Sequence, residues 1–562
     1  MKKLVASFLL FAAITVTAAE LPVAVEPVVA RHAIVVAGHP EAVAIGVAAL
    51  REGGNAIDAA VATSLALGVA EPYASGLGGK LMLLYYEAKS GKVFAVDGMD
   101  AAGSLDTAAY AQRAAEDRSY GYGSACVPGL PAGLWLAHRR WGSRPWAGLV
   151  RPAATLARRG VTVFPKTRDF FEEQERKLRR GDPEIARLYL PGGEIPAVGA
   201  VLRNPDLAAS LDVLARQGAD GFYRGPIARA IVTAAQARGG VLTLADFAGY
   251  EARVVEPVEI AFRGNRVVSA PPPTMGAALV LPALKVLEGE SFGPLPLRSP
   301  GNLEKLARVW EAISPQAWNR IGDVPEARFD FERFVAPDAI RAMRDKALAL
   351  PAAQKTGWLE PATDYESAVA ATTHFIVVDV GGNIVCATQS LSVHFGAGVV
   401  PPGTGIVLND SMSNFTFSDP ADRNYPARGK RARSTIAPTI VVRAGRPVLA
   451  LGVPGAARIP TTLLQVLLDR LAFGRGLADA IGDTRVHVVT TAQSDAVDTI
   501  EAEQSLSPDV AAVLRAHGWK VELSEAAGRG RRFAGVNAVE FAADGTLSAV
   551  ADPRRSNAAA GY

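Results

Sequence analysis

Cysteine is almost missing from this chain: 562 residues contain two, Cys126 and Cys386, far apart in sequence. That excludes a disulfide-built scaffold. Cys386 sits in a strand-like run, where a thiol is expected to pack as a small apolar residue. Histidine is scarce too. The seven histidines are scattered and show no ligand-like spacing, so neither a metal nor another cofactor is expected. Excess charge of either sign is lacking: 59 Lys and Arg face 56 Asp and Glu, a formal balance of +3. A nucleic-acid partner is not expected on that balance, and the short run Arg529 to Arg532 reads as a solvated loop. The glycine run Gly76-Leu77-Gly78-Gly79 is followed by Lys80 and no GK[ST], which argues against a phosphate loop. No internal repeat is evident.

Long apolar runs are also missing, with one short exception. Leu4 to Val16 is apolar, follows Lys2 and Lys3, and precedes the small residues Thr17-Ala18-Ala19. The run is too short to span a bilayer comfortably and reads as a secretory signal over 1–19. An uncleaved anchor is the alternative. No cysteine follows the run, which argues against a lipoprotein. Export to a periplasm or the exterior is expected, with no membrane association beyond it.

What is present is an alternation of helices and strands, which suits an α+β fold. Pro40 to Leu50 reads as a helix stopped by Gly53-Gly54, and Asn55 starts a second, Ala-rich helix ending near Glu71-Pro72. Leu81 to Tyr86 and Lys92 to Asp97 read as strands, and Val254 to Ser269 alternates like sheet. Leu303 to Leu350 is largely helical, and Gln354 to Ala371 reads as a linker. His374 to Asp379 and Ile384 to Ser390, joined by Gly381-Gly382-Asn383, form a predicted hairpin. By spacing alone Thr372 is a strand-start threonine. Thr439 to Val442 and Val448 to Leu451 are further strands, and Pro460 to Leu471 a helix.

The order of several motifs adds chemistry to this outline. EGGNAIDAAVA, then TTHF-x-VVD-xx-GN from Thr372, FGAGVVPPGTGIVLND, KRARSTIAPT and PGAARI follow one another. From about Ala33 to Tyr562 this series resembles the γ-glutamyltransferase (glutathione hydrolase) family of N-terminal-nucleophile hydrolases. The resemblance implies a four-layer αββα fold, two stacked sheets between helical layers. It also implies self-cleavage between Ala371 and Thr372, giving a large chain, 20–371, and a small chain, 372–562, that together form one folded unit. A threonine freed at an N-terminus carries its own base, because an α-amino group titrates at roughly pH 7.7–8. Its β-branch also restricts χ1 and so limits where the hydroxyl can stand.

The same resemblance assigns the remaining site. Ser390 aligns with a threonine that hydrogen-bonds the nucleophile. Gly455 and Ala456 stand where two glycines supply oxyanion-binding N–H groups; alanine keeps the N–H. Ser434 and Thr435 align with a serine pair at the donor's α-carboxylate. Departures cluster on recognition of glutamate. Met99 occupies the place of an arginine that clamps the carboxylate, and methionine cannot form that bidentate pair. Asn414 replaces an aspartate that holds the α-ammonium, Ser392 an asparagine, and Ser411 an acidic or amide residue. Arg431 or Arg433 could supply the missing cation. The expected activity is hydrolysis or transfer of a γ-glutamyl or glutamyl-like acyl group from a small amide or peptide. An acylase for a dicarboxylic monoamide without the ammonium, as in the cephalosporin-acylase branch, is the alternative. A non-catalytic binding homologue is the second.

Overall fold

The computed structural model describes residues 23–349, 370–489, 498–524, 533 and 535–562. The expected signal 1–19, most of the linker before Ala371 and the basic run Arg529 to Arg532 lie outside the described residues. Among the described residues, no helix is long and apolar enough to cross a membrane.

Two seven-stranded antiparallel sheets form the centre. One runs Val28–Ala30, Leu547–Ala551, Asn537–Phe541, Arg446–Gly452, Thr439–Arg443, Asn265–Ser269, Val258–Phe262. The other runs Ala558–Gly561, Ile34–Ala37, Ala370–Val378, Ile384–Val393, Lys80–Glu87, Lys92–Gly98, Arg253–Val255.

Strand periodicity dictates how they stack, since alternate side chains point to opposite faces. Ile376, Val378, Ile384 and Cys386 of the second sheet meet Ile440, Val442, Ala450 and Val539 of the first. Their odd-numbered neighbours Phe375, Val377, Val385 and Ala387 face the other way, into a core shared with the helices Pro40–Arg51, Ala56–Ala70 and Trp146–Arg159. On the far side Val441, Leu449 and Leu451 pack against Met275–Glu288 and Arg458–Leu471. Strands buried on both faces need apolar residues at every position, and each fully buried Val, Leu or Ile contributes roughly 1.5–3 kcal/mol. The result is helix, sheet, sheet, helix, the four layers expected.

Local signals set the ends of the elements nearest the site. Asn55 accepts from Asp58 N at 3.0 Å while Asp58 accepts from Asn55 N at 3.0 Å, a reciprocal cap that starts Ala56–Ala70. Asp379 closes the central hairpin. Its Oδ1 accepts from Gly381 N at 2.8 Å and Asn383 N at 3.0 Å, and its Oδ2 from Ala56 N at 2.8 Å. One carboxylate thus fixes the turn and ties it to a helix start.

Candidate active site

Even-numbered residues from Thr372 to Val378 point between the sheets, so Thr372 and His374 share that inner face with Ile376. Pairing sets Thr372 opposite Ser390, and Ser390 opposite Lys80. These three therefore form one row across three strands. The pairing slips between Ala371 and Thr372: Ala371 faces Ser392 and Thr372 faces Ser390, leaving Leu391 as an extra residue. A bulge of this kind re-aims side chains and breaks the ladder locally. Here it falls opposite the peptide bond between Ala371 and Thr372.

Ser390 occupies the centre of this break. Its hydroxyl lies 3.1 Å from Thr372 Oγ1 and donates to the Ala371 carbonyl. Ser392 N donates to the same Ser390 Oγ at 2.9 Å. With its proton spent on the Ala371 carbonyl, Ser390 accepts from Thr372, which leaves a lone pair of Thr372 Oγ1 free. Arg555 Nη1 fixes the other side by donating to Thr372 O at 2.9 Å. Thr373 faces the helical layer, bonded to the buried Glu71, whose carboxyl is pushed up by burial. A Cβ on Gly38 would come within 2.4 Å of both Glu71 Oε2 and Thr373 Oγ1, so only glycine fits there.

His374 belongs to packing rather than proton transfer. It is buried, contacts Thr388 Oγ1 at 2.8 Å and Cys386 Sγ at 3.6 Å, and burial lowers its pKa to about 3. Cys386 is a free thiol pushed up to about 12 by burial.

Gly455 and Ala456 lie just before the helix Arg458–Leu471 and both have positive φ, 148° and 51°. Thr435 Oγ1 donates to Ala456 O at 2.9 Å, which ties the two segments the sequence had assigned to substrate and oxyanion. Ser434 and Thr435 are half-buried. Ser434 O accepts from Met275 N at 2.6 Å.

Most of the remaining assigned residues gather around a side chain that the sequence marks only as the residue after a glycine run. Lys80 is buried, and its Nζ donates to Ser392 Oγ at 2.5 Å and Ser411 Oγ at 2.9 Å. Ser411 donates to Asp100 Oδ2 at 2.5 Å, and Asn414 Nδ2 donates to Ser392 Oγ at 3.0 Å. Lys80 Nζ and Asp100 Oδ2 are 3.7 Å apart. Met99 does not join them: it packs in the apolar core with Met82, Val258 and Ile436. Both arginines offered as its replacement already have acidic partners, though Arg433 Nη1 and Nη2 make no hydrogen bond among the described residues. Arg431 is paired with Asp97 and donates to Glu251 O at 2.7 Å; Arg433 donates to Ile321 O and pairs with Asp422 at 2.9 Å. The cation near this cluster is instead Lys80. The only sequence signals for it were its place directly after the glycine run and the aspartate after Met99.

Comparison with known proteins agrees with this geometry. The Gamma-glutamyltranspeptidase family profile matches residues 42–562. The Acylase ACY 1 proenzyme of Pseudomonas sp. (strain V22) is 33% identical over 539 residues, covering 94% of this chain and 93% of its own. The glutathione hydrolase proenzyme of Escherichia coli (strain K12) is 31% identical over 555 residues, covering 95% and 93%. Among solved structures, a cephalosporin acylase from Bacillus halodurans superposes with a TM-score of 0.85 at 25% identity, over 99% of both chains. A profile match over nearly the whole length, on a four-layer fold with a threonine at the start of a central strand, makes the chain a member of the gamma-glutamyltranspeptidase family and an N-terminal-nucleophile amidohydrolase.

Proposed function

We propose that Thr372 is the nucleophile in two successive reactions, release of its own N-terminus and turnover of a small amide. The observation that carries this is the position of Ser390, bonded to both the Thr372 hydroxyl and the Ala371 carbonyl. In the first reaction Thr372 Oγ1 attacks the Ala371 carbonyl carbon. The C–N bond breaks, its nitrogen takes the proton, and water then cleaves the ester, leaving an Ala371 carboxylate and a free Thr372 amine. The products are 20–371 and 372–562, the former after removal of the signal 1–19 on export.

In the second reaction the freed amine takes the hydroxyl proton as Oγ1 attacks the donor amide. The leaving amine departs protonated, and water or an acceptor amine resolves the acyl-threonine. Gly455 and Ala456 are assigned the oxyanion through their backbone N–H groups. The donor is read as a γ-glutamyl or glutamyl-like amide, in keeping with relatives named as glutathione hydrolases and acylases. Ser434, Thr435, Asn414, Ser392 and Ser411 are assigned to acyl recognition.

Intact-mass analysis of the purified protein tests the reading. The wild type should give two chains, the smaller beginning at Thr372, and Thr372→Ala one. Cleavage at the same bond in Thr372→Ala would sink it.

A further inference from the structure

The buried cluster beside the nucleophile has a proton count that constrains what it can bind. Ser411 gives its only proton to Asp100 Oδ2 at 2.5 Å, so in the 2.7 Å contact between Ser392 and Ser411 the donor is Ser392. Ser392 Oγ then accepts from Lys80 and Asn414, and Ser411 Oγ accepts from Lys80 and Ser392. Both hydroxyls are saturated. Lys80 is not. An ammonium has three donors; two go to the serines, and Asp100 Oδ2, at 3.7 Å, lies beyond hydrogen-bond reach of the third.

The cluster adjoins Thr372. Ser392 N touches Ser390 Oγ, which touches Thr372 Oγ1, and Lys80 is in the same cross-strand row as both. An acyl chain ending at Thr372 and extending along this row meets a buried cation with one N–H to give. A tail carrying an ammonium would set like charge against Lys80 and find both hydroxyls used, with only Asp100 Oδ1 and Asn414 Oδ1 left as acceptors. A tail carrying a carboxylate would complete the lysine's third bond. Asp100, whose carboxyl is pushed up by burial, can take up a proton as that second carboxylate enters.

Resting on the reading of Thr372 as nucleophile, we propose that Lys80 is the specificity-determining residue of the acyl pocket: its ammonium holds the distal carboxylate of a dicarboxylic monoamide and excludes donors bearing an α-ammonium. The missing charge at position 99 has moved one strand over. The register that pairs Leu81 with Gly98 brings Lys80 and Met99 side by side at the strand ends.

The test uses mature enzyme with three matched anilides: glutaryl, γ-glutamyl and butyryl. The wild type should prefer glutaryl over each of the others by at least about 10-fold in kcat/KM. Lys80→Met should lower glutaryl turnover by roughly 30-fold or more, chiefly through KM, and bring the glutaryl-to-butyryl ratio near one. Wild-type preference for γ-glutamyl, or a ratio unchanged in Lys80→Met, overturns the proposal. If Lys80→Met fails to fold or mature, the two wild-type ratios decide alone. Enzyme that acylates Thr372 from butyryl and γ-glutamyl anilides but not glutaryl overturns this inference and keeps the nucleophile. Enzyme that turns over none of the three overturns both.

Discussion

At Ala456 the backbone adopts φ 51° with a methyl group in place. The left-handed region costs an L-residue with a Cβ roughly 1–2 kcal/mol. Ala456→Gly should therefore stabilise the protein by about 1 kcal/mol, less the extra chain entropy of glycine, as read from urea denaturation. A lower midpoint would show that the methyl's packing outweighs the strain. His374 makes a different prediction. Its folded pKa, about 3, lies below the ordinary histidine value of 6.5. The neutral ring is the favoured form, so this group's contribution is fully present above pH 6.5 and is lost as pH falls towards 3. The loss is about 1.4 kcal/mol per pH unit within that window. Histidine-detected NMR should find the His374 ring unprotonated from pH 8 down to 5. A titration centred near 6.5 would contradict its burial against Thr388 and Cys386.

The central hairpin rests on Asp379, which accepts from two turn N–H groups and from the start of Ala56–Ala70. Asp379→Ala leaves the buried Ala56 donor and the two more exposed turn donors without that carboxylate. It should cost about 2–4 kcal/mol and slow maturation, as judged by denaturation and by the time course of chain separation on gels. A loss under about 0.5 kcal/mol would mean that water replaces the carboxylate. The hairpin, the paired helices and the Thr439–Arg443 strand could be read from the sequence because period, turn residues and caps all agreed there. The layer order could be read only through family resemblance, since strands apolar on both faces do not say which sheet they join. The proposed acyl pocket was only half legible. Ser390, Ser392, Ser411 and Asn414 were assigned by position in motifs. Lys80 was not singled out, because its meaning comes from pairing with a strand some 300 residues away. The partners of Arg431 and Arg433 were hidden for the same reason: nearness in sequence said nothing of Asp97 and Asp422, with which they pair.

Over the whole molecule, the cut proposed before Thr372 falls inside a shared structure. The second sheet joins Ile34–Ala37, Lys80–Glu87, Lys92–Gly98 and Arg253–Val255 from before that bond to Ile384–Val393 and Ala558–Gly561 from after it. The first sheet mixes the two halves in the same way. The chains should therefore elute together in gel filtration at neutral pH and separate only in denaturant. Separation under native conditions would show that the sheets do not hold the halves together. This interleaving gives maturation a direction. A denatured precursor refolds as one molecule, at a rate indifferent to dilution. A denatured mature enzyme must find its other half, so its recovery becomes second order and fails in dilute solution. For such a cleaved enzyme in dilute solution, durability is then a lifetime set by the barrier to first unfolding rather than an equilibrium between folded and unfolded forms.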